Sequence, residues 1–204
     1  MRRQLLTLFI LTTVLFTACS DSDSEDPTFT GEFETATNFQ SGLNGSFTFF
    51  DLNSNAAVTD SNSTTWDLAF TDDGRGGLQI LTNSGTSGPG NGGAIVLDVD
   101  INTITEVPSD DQFTVDTGTT LAITSTPDVT GSWFVYTGQT SEPNFAVLPK
   151  DPHTILIRTG EGDYAKIEIV SYYEGNPDTS TPEFASLMTR PAGGYYTFNF
   201  EVLD

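Results

Sequence analysis

The chain has 204 residues, with 28 Asp and Glu against seven Lys and Arg, one His and one Cys, for a formal charge of −21. A field of that sign repels phosphate backbones and anionic head groups, so it weighs against nucleic-acid binding and against a polybasic membrane contact. The length suits one domain of ordinary size, and a single cysteine rules out an internal disulfide.

Met1, Arg2 and Arg3 precede an apolar run over residues 5–16 that ends in Thr17-Ala18-Cys19. Two cations, an h-region of signal-peptide length and a small residue before a cleavage point form the export pattern. The run is too short for a permanent membrane helix. Residues 1–18 are therefore expected to be a lipoprotein signal peptide and Cys19 the lipidated first residue of the mature chain. Lipidation also accounts for a lone thiol in an exported domain; an ordinary signal peptide would leave it free and exposed. Removing residues 1–18 takes away Arg2 and Arg3 but no acid, leaving five cations against 28 acids. The small and acidic residues that follow have nothing to bury, so 19–28 reads as a solvated tether and 29–204 as a single β domain. The membrane is then reached through the lipid only.

Beyond the tether, no stretch sustains a 3.6-residue apolar period with caps. Short runs of Val, Ile, Thr, Phe and Tyr recur instead between Gly, Asn, Asp and Pro clusters, an all-β pattern. Strands are expected over residues 45–51, 65–70, 77–82, 94–98, 118–123, 132–136, 154–158, 164–173 and 195–203. In the run from Tyr164, Lys166 and Glu168 fall on one face, expected to be wet. Ala165, Ile167 and Ile169 fall on the other, expected to be buried. Thr159-Gly160-Glu161-Gly162-Asp163 joins this run to 154–158 as a hairpin. Many short strands argue for an antiparallel sheet or sandwich.

Gly88, Gly90 and Gly93 make a nominal G-x-G-x-x-G within a glycine-rich segment from Asn83. A dinucleotide site needs a helix next, and Ala94-Ile95-Val96-Leu97 reads as strand, so a long turn is expected. His153 is the only histidine, nothing resembles a nucleophile elbow, and no catalytic triad can be assembled. The expected protein is a binding module, not an enzyme. Asp72 with Asp73, and Asp98 with Asp100, are carboxylate pairs of the kind that hold calcium, although neither fits an EF-hand loop. Residues 182–190 are expected to form a short helical turn with Phe184, Leu187 and Met188 on one side, either packed on the core or displayed as a binding element.

An ordered set of short motifs carries a resemblance. Trp66-Asp67-Leu68-Ala69-Phe70 comes first, followed by the glycine-rich segment and Val107-Pro108. Gly131-Ser132-Trp133, Arg158-Thr159-Gly160 with Tyr164-Ala165-Lys166, and Tyr196-Thr197-Phe198 complete it. Together they resemble the HmuY family of Bacteroidetes lipoproteins over roughly residues 45–203. The resemblance implies an all-β, HmuY-like antiparallel architecture, a lipid anchor, and placement on the outer membrane facing the cell exterior. It also implies haem binding for haem acquisition, with transfer to a TonB-dependent outer-membrane receptor. The two axial histidines of the founding members have no counterpart here, since the stretch after Trp133 reads Phe134-Val135-Tyr136-Thr137-Gly138. Thioether and imidazole are both accepted axial donors. The hairpin topology then places His153 and Met188 at one end of the sheet as the expected haem-ligand pair. The alternative is a relative that has lost haem and binds another ligand or a surface partner protein.

Overall fold

The structure is a computed structural model that describes residues 28–73 and 77–203. The expected signal peptide, Cys19 and the tether up to residue 27 lie outside the described residues. The strands are β1 (Glu34–Gln40), β2 (Gly42–Leu43), β3 (Thr48–Asp51), β4 (Ala56–Val58), β5 (Leu68–Asp72), β6 (Gln79–Thr82) and β7 (Gly93–Leu97). They continue as β8 (Phe134–Tyr136), β9 (Val147–Pro149), β10 (Thr154–Arg158), β11 (Tyr164–Tyr173) and β12 (Gly193–Leu203), with one helical turn, α1 (Pro182–Ala185), before the last strand. No helix among the described residues is long and apolar enough to cross a membrane.

The hairpin expected from the alternation at Tyr164 forms with the expected bounds and pairs Ile155 with Ile167 and Arg158 with Tyr164. It is the centre of a five-stranded sheet in the order β1-β12-β11-β10-β7. A second sheet, β2-β5-β3-β4 with β6 on β5, lies against it, and β8 pairs with β9 separately. The inward residues of β12 are Tyr196, Phe198 and Phe200, every second position, as the two-residue strand period requires. Phe198 meets Phe50 of β3 edge-on at 5.1 Å and stacks on Phe70 of β5 at 5.9 Å, so aromatic rings fill the space between the sheets.

The other face of the hairpin departs from the expectation. Lys166 is sealed from water, with its ammonium 3.2 Å from Glu201 and donating to the Ile104 carbonyl at 3.0 Å. Phe29 and Phe33 stand 4.8 and 5.0 Å from the ammonium. The first described residues and the turn at Ile101–Thr103 therefore roof this face, and Phe29, Phe113 and Leu156 form a second small core beneath. A period-2 pattern shows which residues share a face; what later covers that face it does not show.

Residues 118–123 were expected as strand and are not. The Asp116 carboxylate accepts the Ala122 N–H at 2.7 Å and the Thr82 N–H at 2.9 Å, while Thr117 N–H bonds the Thr120 carbonyl, so these backbone groups are satisfied locally. The glycine-rich segment is the expected long turn and leads into strand β7. Asn83, fully buried, organises it by donating to the Ser63 and Trp66 carbonyls at 3.0 and 2.7 Å and accepting from Gly90 N–H at 2.8 Å. A Cβ on Gly88 would lie 2.1 Å from Asn83 Oδ1 and 2.4 Å from the Trp66 ring, which is why glycine stands there.

Candidate functional site

At one end of the sandwich, where β11 finishes at Tyr173 and β12 starts at Gly193, the layers part into a cleft of about 720 Å³. That volume lies within the range of small-molecule sites. Phe134 and Tyr136 come from β8, Phe145 and Val147 from the segment before and into β9, Tyr172 and Tyr173 from β11, and Leu187 and Arg190 from the loop after α1. Three of these, Tyr136, Phe145 and Leu187, together with Leu43 at the end of β2, are exposed apolar side chains, so the mouth is greasy as well as the walls.

The loop that supplies Leu187 and Arg190 is fixed by its own sequence. Thr181 caps α1 by accepting the Phe184 N–H at 3.2 Å, Pro182 starts the turn, and Phe184 enters the main core against Tyr173 at 4.8 Å. Arg190 then closes the loop by donating to the carbonyls of Phe184 at 2.8 Å, Phe145 at 3.1 Å and Ala185 at 3.4 Å. The expected turn with three apolar residues on one side is therefore split: Phe184 is core, while Leu187 and Met188 face outward.

The tyrosines of the cleft differ in their ties. Tyr172 donates to Asp72, and burial together with that bond pushes its phenol far above the ordinary value. Burial also raises Tyr173, although the Val147 N–H, which its oxygen accepts at 3.0 Å, and the Arg190 charge pull the other way. Tyr136 sits at the rim, 44% exposed, with no hydrogen bond from its hydroxyl among the described residues.

The two expected haem donors occupy different surroundings. His153 is 1% exposed and lines a separate cavity of about 580 Å³ with Glu168 and Asn199. Its Nε2 accepts the Ile169 N–H at 3.0 Å and its Nδ1 bonds the Lys150 carbonyl, so both ring nitrogens are engaged by backbone and the ring is the Nδ1–H tautomer. Burial, the largest influence, lowers its pKa and keeps it neutral. Met188 is 96% exposed beside Leu187 of the first cleft. The structure thus does not bring the pair into one cavity. β11 runs on past Ile169, the residue facing His153, to Tyr173, so the hairpin's strands do not end together. The carboxylate pairs weighed for calcium are otherwise occupied: Asp98 bonds Lys150, Asp100 caps the turn at Asn102, Asp72 bonds Tyr172 and Asp73 accepts the Gly77 N–H at 2.8 Å. Among the described residues no three His, Cys, Asp or Glu side chains gather as a metal site.

A different polar junction was missed in the sequence. Asp67, buried, accepts N–H bonds from Leu52 at 2.8 Å and Gly160 at 2.9 Å, tying β5 to the β10–β11 turn. Burial pushes its carboxyl up to about 7 against the pull of those two donors. The signal was available only as part of the Trp66-Asp67-Leu68-Ala69-Phe70 motif, since an acid inside an apolar run must find buried donors.

A family model described as HmuY protein matches residues 44–185. Among solved structures, apo PinO from Porphyromonas gingivitis superposes with a TM-score of 0.51 at 14% identity, covering 86% of this chain and 99% of its own. The apo HmuY analog of Tannerella forsythia gives a TM-score of 0.46 at 15% identity over 85% of this chain and 95% of its own. No curated protein matches the sequence.

Proposed function

The chain belongs to the HmuY family, and from that premise we propose that it is a binding module that takes a flat, largely apolar ligand of the haem class into the cleft between β8, β11 and the loop after α1. The observation that carries this reading is the cleft itself: about 720 Å³, with aromatic rings from several segments on its walls and a guanidinium at its edge. Flat ring faces against aromatic walls, with one cation for an acidic substituent, are the contacts such a ligand needs.

The residues present fit haem by a particular route. No imidazole or thioether lines the cleft; phenols do, and a tyrosine oxygen is an accepted axial donor. Tyr172 and Tyr173 are tied to Asp72 and Val147, which leaves Tyr136 as the residue that would hold the iron. His153 and Met188 remain the competing donor pair, at the cost of breaking the Ile169 bond. Haem, when bound, would supply iron and a reducible centre; the chain would supply burial, orientation and exclusion of water. The reading extends outward: Cys19 would carry the lipid, residues 19–28 would hold the domain off the outer membrane on its exterior side, and a TonB-dependent receptor would receive the ligand. The engaged nitrogens of His153 support a module without catalytic acid–base chemistry.

Titration of the purified chain with hemin, followed in the Soret band, tests the proposal. Saturable binding that weakens in Tyr136→Phe but survives in His153→Ala and Met188→Ala is the expected result. No Soret change in the unmodified chain overturns it. The second reading, a relative that has given up iron for another ligand, is favoured by the absence of imidazole and thioether donors among the described residues that line the cleft. Equal binding of hemin and metal-free protoporphyrin would establish it.

A further inference from the structure

We propose that Arg190 is a carboxylate-binding subsite, so that the ligand of this cleft is an apolar body bearing a carboxylate; the inference rests on the reading of the cleft as a ligand site.

The described residues include four cations, and three of them have a carboxylate partner. Lys150 bonds Asp98, Arg158 stands 3.5 Å from Asp110, and Lys166 stands 3.2 Å from Glu201. Arg190 is the one among the described residues that no carboxylate accompanies. In a chain with four acids for every base, chance would supply one readily. The neighbours of its guanidinium are instead three backbone carbonyls, the Tyr173 hydroxyl and the Phe184 ring, 4.8 Å from the central carbon. Three of its five N–H donors meet carbonyls and a further one is shared with the Tyr173 hydroxyl, in a side chain that borders the cleft.

This is the arrangement of a preorganised anion contact. The carbonyls and the stacked ring fix the rotamer before any ligand arrives, so little side-chain entropy is lost on binding. A permanently charged guanidinium at the edge of an apolar cleft gains a charge-assisted bond from a carboxylate that water at an open surface would screen. Phe134, Phe145 and Leu78 line the rest of the cleft and suit an apolar body. The negative field of the whole domain repels anions, so one contact of this kind selects ligands of low charge and rejects polyanions such as nucleotides.

The test compares hemin with its dimethyl ester, binding the purified chain by calorimetry. The acid is expected to bind at least about tenfold more tightly, the size of one good charge-assisted contact. Arg190→Gln should remove that preference, bringing acid and ester to equal affinity, and Arg190→Lys should keep part of it. Equal affinity for acid and ester in the unmodified chain overturns the subsite and leaves the cleft's ligand class standing, as does a preference that survives Arg190→Gln. Failure of both to bind overturns the cleft reading itself. The ester comparison needs no variant, so it decides the matter even if Arg190→Gln unfolds.

Discussion

The Lys166 ammonium stands 3.2 Å from the Glu201 carboxylate, directly across the β11–β12 register, and both are nearly sealed from water. Glu201 also accepts from Thr30 N–H, from Thr30 Oγ1 at 2.9 Å and from Gly31 N–H at 3.0 Å, so this pair clasps the segment around Thr30 and Gly31 onto the sheet. Burial pushes the Glu201 carboxyl up, but the Thr30, Lys166 and Gly31 donors outweigh it and hold the carboxyl below its ordinary value.

Removing one partner should therefore be expensive. Glu201→Gln leaves the buried ammonium without a countercharge, and a loss of about 3 kcal/mol is expected from breaking a buried pair. Urea unfolding reads it. A depressed carboxyl contributes stability above its unfolded pKa and loses it as pH falls through the lower folded value. The gap between wild type and Glu201→Gln should thus close in acid; a gap that widens there would contradict the arrangement.

Asp67 predicts the opposite slope. With its folded pKa raised to about 7, the protonated form is favoured by folding, so its contribution is full below the unfolded value of 3.8 and is lost as pH rises through 7. Asp67→Asn replaces one acceptor by a donor facing a backbone N–H and should cost about 1–3 kcal/mol. That cost should be larger at pH 5 than at pH 8. Equal melting-point differences at the two pH values would refute the raised pKa.

His153 gives a third pH signature. Its lowered pKa means that folding favours the neutral ring, so stability is present above the unfolded value of 6.5 and is lost as pH falls toward the folded one. His153→Ala orphans the Ile169 N–H and should destabilise by about 1–3 kcal/mol at pH 8, with a shallower decline in acid. Met188→Ala should change stability by less than about 0.5 kcal/mol, because the side chain is exposed. Thermal melts of the two variants check both statements.

The glycines separate space from sequence. A Cβ on Gly160 would stand 2.3 Å from the Thr64 carbonyl oxygen and 2.7 Å from that of Trp66, so Gly160→Ala should cost about 1–3 kcal/mol through backbone displacement. Gly118 has nothing within 4 Å of such a Cβ, and Gly118→Ala should be neutral or stabilising by about 0.4–1 kcal/mol. Denaturation midpoints of the pair provide the comparison, and equal costs would sink the packing argument.

How much was legible follows from range. The β10–β11 hairpin, the strand character of β5 to β7 and the glycine-rich turn are local matters, set by residue period and turn chemistry within about ten positions. β1 was not legible, since its residues are mostly exposed at the sheet edge and show no apolar alternation. Residues 118–123 misled because their β-forming composition could not reveal that Asp116 captures their backbone.

By itself, then, the sequence determined the all-β class, the order of the motifs and the strong negative charge, because these depend on composition and short spacing. Only the tertiary structure decided which side chains meet. It turned His153 toward the backbone of β11 and buried Lys166 under the rings of Phe29 and Phe33. It also set Arg190, alone among the described cations in lacking a carboxylate, at the edge of an aromatic cleft. The physical reason is that burial and ion pairing are properties of neighbours far apart in the chain, and strand period specifies the face of a residue without specifying what packs upon it.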